Sequence, residues 1–138
     1  PNFILFRGFD DDFLVPHSRN TTVRREDVEA VPGLKILASS PEAGIYAVKT
    51  DQCRQVFLMG HAEYDRDTLR REYMRDLTAG VNIQLPKHYF PGDDPNQRPA
   101  MTWRSCAHLL YANWLNYCVY QTVPYDIREI EQGVRTSD

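Results

Sequence analysis

The chain has 138 residues, 42% of them hydrophobic and 25% charged, with eight Tyr, six Phe and two Trp, the composition of one folded domain and not of a disordered chain. Its net charge of −3 argues against a strongly basic nucleic-acid binder, and no apolar run approaches the roughly 20 residues of a membrane span. Three cysteines, Cys53, Cys106 and Cys118, without a Cys-x-x-Cys pair, argue against a disulfide framework and a zinc ribbon and for a reducing, cytoplasmic compartment.

The opening Pro1-Asn2-Phe3-Ile4 is neither a signal peptide nor an initiator-Met start and reads as a cut end. Residues 3–6 (Phe-Ile-Leu-Phe) read as a short buried strand. A turn-rich stretch follows at 7–13, then Pro16-His17-Ser18-Arg19. Thr21 or Thr22 is placed to cap a helix over 23–31, with Glu26 and Asp27 in its early turns and Pro32-Gly33 as its breaker. Strands are expected at 34–38, 44–48 and 55–59, and their short connections favour antiparallel neighbours. A helix over 67–79 has Asp67 as its cap, Gly80 as its terminator and Leu69, Tyr73 and Leu77 as its buried stripe. Residues 81–100 carry Pro86, Pro91, Pro95 and Pro99 and form a long irregular loop. The longest helix is expected over 101–123, with Trp103, Cys106, Ala107, Leu110, Trp114, Tyr117, Cys118 and Gln121 near one face. Pro124 ends it, and 126–138 reads as a polar tail. Central strands with helices around them make an α/β domain.

The local pattern with most chemical content is Val56-Phe57-Leu58-Met59-Gly60-His61-Ala62-Glu63-Tyr64. A buried strand exits at a glycine and presents His-x-Glu, and side chains two apart on extended backbone point the same way. A carboxylate beside an imidazole fixes its tautomer and stabilises its cation, so His61 is a candidate general base with Glu63 as its orienting partner. Two polar residues bonded to nearby loops are the plainer explanation, and from the local pattern alone the plainer one is favoured. Ser18, His17 and Arg19 gather a hydroxyl, an imidazole and a guanidinium on one loop, as a carboxylate or zwitterion would need, although a capped turn also accounts for them. Glu72 and Arg75 sit three apart on one helix face, the spacing of an ordinary surface ion pair. No cysteine lies on a strand-to-helix elbow and Ser18 is not in a Gly-x-Ser-x-Gly turn, so the chain carries a base without a recognisable nucleophile.

Taken together, Arg7-Gly8-Phe9-Asp10-Asp11, Pro16-His17-Ser18-Arg19, Gly60-His61-Ala62-Glu63-Tyr64-Asp65, Tyr89-Phe90-Pro91, Trp103-Arg104-Ser105, Asn113-Trp114-Leu115-Asn116-Tyr117 and Thr122-Val123-Pro124-Tyr125-Asp126 resemble the C-terminal part of the homoserine O-succinyltransferase/O-acetyltransferase family. The resemblance covers essentially the whole chain, 1–138, as one piece of a single acyltransferase domain. It implies part of a class I glutamine amidotransferase-like (flavodoxin-like) three-layer α/β fold, with antiparallel strands and a long C-terminal helix. It also implies acyl transfer from acetyl-CoA or succinyl-CoA to the hydroxyl of L-homoserine through an acyl-cysteine, with no other cofactor and no metal. By motif, His61 resembles the family's general base and Glu63 its acidic partner. Ser18 and Arg75 match substrate-binding positions, and Arg19 and Glu72 are neighbouring site positions. The nucleophilic cysteine lies upstream of the region matched, so the missing N-terminal half is an expected partner, along with a second copy in a homodimer. A class I glutamine amidotransferase-type domain and a non-catalytic interaction module are the alternatives.

Overall fold

A computed structural model describes residues 3–121. Three strands, β1 (Leu34–Ser40), β2 (Gly44–Thr50) and β3 (Val56–Leu58), form one antiparallel sheet in that order. The order follows from chain economy, because a three-residue and a five-residue connection reach only an adjacent antiparallel strand. β2 is the central strand: Ile45, Tyr46, Ala47 and Val48 are all buried. Consecutive burial of this kind means that both faces of β2 are covered, which is why its sequence runs apolar without alternating. Tyr46 and Ala47 pack in one cluster with Leu5, Leu110 and Cys118, and Ile45 and Val48 in another with Val28.

Among the described residues α1 (Arg25–Glu29) and α3 (Arg104–Trp114) pack on the sheet, α3 continuing as a π-helical turn over Leu115–Val119, while α2 (Thr68–Thr78) packs its Leu69 against Tyr89, Phe90 and Trp103. This is the α/β arrangement with antiparallel strands and a long C-terminal helix that was expected. Among the described residues no helix is long and apolar enough to cross a membrane. The expected helix end at 123, its stop at Pro124, the motif at 122–126 and the tail lie outside the described residues.

Several local expectations change. Residues 4–6 form a 3₁₀ turn, not a strand. Leu5 is buried, but its carbonyl and that of Arg7 accept hydrogen bonds from Asn113 Nδ2 at 3.0 and 2.9 Å. A helix side chain therefore occupies the acceptors that a neighbouring strand would have used. The first helix is five residues long, starts after Arg24 and has no side-chain cap; Arg24 instead pairs with Asp27 at 2.8 Å. In α2 the Asp67 side chain makes no capping hydrogen bond, whereas Gly80 (φ +71°) ends the helix as expected. The Gly80 and Val81 amides donate to the Leu77 and Asp76 carbonyls, a Schellman end. Of the proposed stripe, Leu69 is buried and Leu77 is exposed. On α3 the buried face is Ala107, Leu110 and Asn113, with Cys118 in the π turn, while Trp114 and Gln121 are exposed. The π turn adds a residue to the helical repeat, which shifts the face that a regular 3.6-residue count predicts.

Cys53 and Cys118 form a disulfide with Cα atoms 5.8 Å apart, leaving Cys106 free. This corrects the expectation of no disulfide. An odd cysteine count leaves one over and says nothing about the other two, and these two lie 65 residues apart. They meet only because the β2–β3 turn folds onto the end of the C-terminal helix.

Candidate functional site

The site is built where two loops run side by side. Past β3, the Met59 amide still donates to the Tyr46 carbonyl, at 2.7 Å. The His61 amide then donates to the Pro16 carbonyl, also at 2.7 Å. The extended segment 15–19 is thus laid along the exit of β3, and His17 shares a hydrogen bond with the Met59 backbone. Gly60 makes the approach possible, since a Cβ there would stand 2.8 Å from His17 Nε2 and 3.0 Å from Val15 Cγ1. Two motifs about 40 residues apart in sequence become neighbours through these backbone contacts.

His61 Nδ1 lies 2.8 Å from Glu63 Oε1. The pairing does not come from extended backbone, as the i, i+2 argument assumed. Residues 61–64 form a turn in which the Tyr64 amide donates to the His61 carbonyl at 3.2 Å. The turn folds Tyr64 back over the imidazole, with ring centroids 4.3 Å apart and planes inclined by 14°. Among the described residues His61 Nε2 makes no hydrogen bond. Both His61 and Glu63 remain partly exposed, so their contact adds little to stability. What it fixes is the imidazole's orientation, and the tautomer with the proton on Nδ1 and the lone pair on Nε2.

A second cluster adjoins the first. The Tyr64 hydroxyl donates to Glu72 Oε1 at 2.8 Å and also hydrogen-bonds the Ser18 side chain. Burial, with the Glu72 carboxylate next to it, pushes the Tyr64 hydroxyl up to about 12, so it stays a donor throughout the neutral range. Glu72 Oε2 is buried without a hydrogen-bond partner. An ionised carboxylate oxygen in that position is costly unless a cation or donor reaches it. His17, between the two loops, is held below its ordinary value by burial, with Arg19 and His61 adding positive charge nearby. Its Nδ1 is likewise buried and unpaired. Beyond His17 opens a groove of about 1290 Å³ between Phe13, Tyr46, Lys87 and Phe90.

The two arginines are placed differently. Arg19 donates to the Ala43 carbonyl and, at 3.5 Å, to that of Ile45, tying its loop to the start of β2 instead of facing Ser18. Arg75 Nε pairs with Asp76 Oδ1 at 2.7 Å and its side chain is 69% exposed, although it remains within electrostatic range of Glu72 and Tyr64. The structure therefore brings together His61, Glu63, Ser18 and Glu72, and leaves Arg19 and Arg75 at the margin. Sequence reasoning assigned no role to Tyr64, which joins the two clusters, or to Trp103, whose Nε1 donates to the Tyr64 carbonyl at 2.9 Å. Both stand in the motifs noted above, but no spacing rule puts a tyrosine ring over a histidine three residues earlier. No cluster of potential metal ligands occurs among the described residues.

A family model described as Homoserine O-succinyltransferase matches residues 1–125. Among curated relatives, the homoserine O-acetyltransferase of Acetivibrio thermocellus is 56% identical over 131 residues, which is 95% of this chain and 43% of the relative. Homoserine O-acetyltransferase 1 of Ilyobacter polytropus is 57% identical over 122 residues, 88% of this chain and 40% of the relative. The Thermotoga neapolitana homoserine O-acetyltransferase is 54% identical over 127 residues, 92% and 42% of the two chains. The chain thus spans about two-fifths of the length of these relatives.

Proposed function

Because this chain belongs to the homoserine O-succinyltransferase family, we propose that it supplies the acid–base and acceptor-binding part of a homoserine O-acyltransferase. The observation that carries the reading is the His61–Glu63 contact with Nε2 left open, joined through Tyr64 to Glu72, whose Oε2 is buried and unpaired. In the proposed cycle a cysteine from an upstream segment attacks the carbonyl of the acyl-CoA thioester. The new S–C bond forms as the bond to CoA sulfur breaks, and the CoA thiol leaves with the proton that His61 took from the cysteine. His61 then takes the proton of the homoserine hydroxyl, whose oxygen attacks the acyl-cysteine. The ester forms and the cysteine regains its proton from the imidazolium. Glu63 holds the ring and stabilises its cation in both halves.

The acceptor is an amino acid, with one cationic and one anionic end. Glu72 Oε2 would receive the ammonium and Ser18 would add a hydrogen bond. Arg75 would take the carboxylate by exchanging its contact with Asp76, a short step for an exposed side chain. Arg19 holds the Ser18 loop in place. We take acetyl-CoA as the donor because the relatives described above carry that name, and we place the enzyme in the cytoplasm as a homodimer.

The test is release of free CoA on adding homoserine with acetyl-CoA or succinyl-CoA, in a full-length enzyme that carries this segment. His61→Ala is expected to lower homoserine-dependent release by about 10²–10⁴-fold, the usual worth of a general base, and Glu63→Gln to leave weaker activity. Wild-type rates in both variants would overturn the assignment. The 138-residue chain alone is expected to release none, since it lacks the nucleophile; homoserine-dependent release by it would direct attention to Cys53, Cys106 and Cys118.

A further inference from the structure

Tyr64 is anchored at four points. Its amide closes the turn onto the His61 carbonyl and its own carbonyl accepts from Trp103 Nε1. Its ring lies face to face with the His61 imidazole, and its hydroxyl binds both Glu72 Oε1 and Ser18. A residue needed only for packing would require the ring burial and nothing more. Here one side chain restrains two groups of different chemistry.

We propose that Tyr64 is a positioning residue that sets both halves of the site, its ring face fixing the plane of the His61 imidazole and its hydroxyl fixing the Glu72 carboxylate so that the buried Oε2 stays unpaired for the acceptor's ammonium. Glu63 restrains the imidazole only at one edge, through Nδ1, and leaves rotation about that contact free. The stacked ring removes this remaining freedom, so Nε2 is held on one line of approach. The π face of the ring also favours the imidazolium that forms when His61 accepts a proton. The hydroxyl acts on the other side. By donating to Oε1 it prevents the carboxylate from turning, and Ser18 completes the hydroxyl's own hydrogen bonding.

The proposal rests on the acyl-transfer reading, and the two fail differently. The experiment uses a full-length enzyme carrying this segment and separates two half-reactions: the burst of CoA released without homoserine, and the homoserine-dependent turnover. Tyr64→Phe keeps the ring and removes the hydroxyl. It is expected to leave the burst rate within about twofold of wild type while raising the KM for homoserine about 10-fold, the effect of losing one hydrogen bond to a charged group. Tyr64→Leu removes both and is expected to slow the burst about 10-fold as well. A burst slowed equally in both variants would overturn the proposal, as would an unchanged homoserine KM in Tyr64→Phe. If the Leu variant does not fold, Tyr64→Phe still decides through that split. A wild-type enzyme with no burst from either donor overturns the acyl-transfer reading and this proposal with it.

Discussion

At the scale of single residues, the site depends on one missing methyl group and on three shifted ionisations. Gly60→Ala would drive a Cβ into His17 and Val15. We expect a loss of about 1–3 kcal/mol, as for overpacking elsewhere, measured by urea denaturation, with the contact between the Pro16 carbonyl and the His61 amide as the first casualty. His17 is held below its ordinary 6.5 mainly by burial. The neutral form is therefore the one the fold favours: its contribution is complete above pH 6.5 and is lost as pH falls through the lower folded value. Tyr46 and Tyr64 shift the other way, both chiefly through burial. Their contribution is complete below pH 10 and is lost as pH rises towards 12 and beyond. Denaturation midpoints should therefore fall on both sides, with His17→Gln flattening the acid limb and Tyr46→Phe the alkaline limb. Limbs of unchanged slope in these variants would assign the pH dependence to other groups. The histidine–glutamate pair and Ser18 were legible in sequence because their motifs are local. Tyr64 was not, because its role comes from a turn that reverses the chain over His61.

Among the elements, α3 is the one that organises the rest. Its regular face supplies Leu110 to the core around β2, and its Asn113 closes the two carbonyls of the N-terminal turn. Asn113→Ala would leave both acceptors short of a donor in a buried setting. The expected cost is about 1–3 kcal/mol, larger than for Asn116→Ala on the exposed side of the helix. Equal effects at the two positions would show that the N-terminal turn does not depend on that bond. The sheet was legible in sequence to within two residues at each end, because apolar β-branched runs and short connections leave one pairing scheme. The segment 3–6 was misjudged because four apolar residues in a row fit a buried strand and a buried turn equally well. What separates the two is an asparagine more than 100 residues away.

For the whole molecule, the Cys53–Cys118 link connects the β2–β3 turn to the π turn after α3 and closes a span of 65 residues. A cross-link of that span stabilises by roughly 4 kcal/mol on chain-entropy grounds. Thiol titration of the oxidised, denatured chain should find one reactive thiol, Cys106, and three after reduction. Cys53→Ser should lower the denaturation midpoint of the oxidised protein and leave that of the reduced protein nearly unchanged. Three thiols without reductant would rule the link out.

Composition, periodicity and short connections by themselves determined the α/β class, the antiparallel sheet and the helix expected over 67–79 with its glycine end, while the motifs taken together carried the resemblance to the family and pointed to the histidine–glutamate pair. Each element and each motif is written within one segment or its flanking turns, where side-chain pattern and backbone preference are enough. Tertiary structure alone decided that the Ser18 loop lies along the exit of β3, that Tyr64 joins His61 to Glu72, that Arg19 is taken up by backbone carbonyls, and that Cys53 meets Cys118. These are contacts between segments far apart in the chain, set by how the buried faces of β2 and α3 come together, and no local pattern encodes that distance.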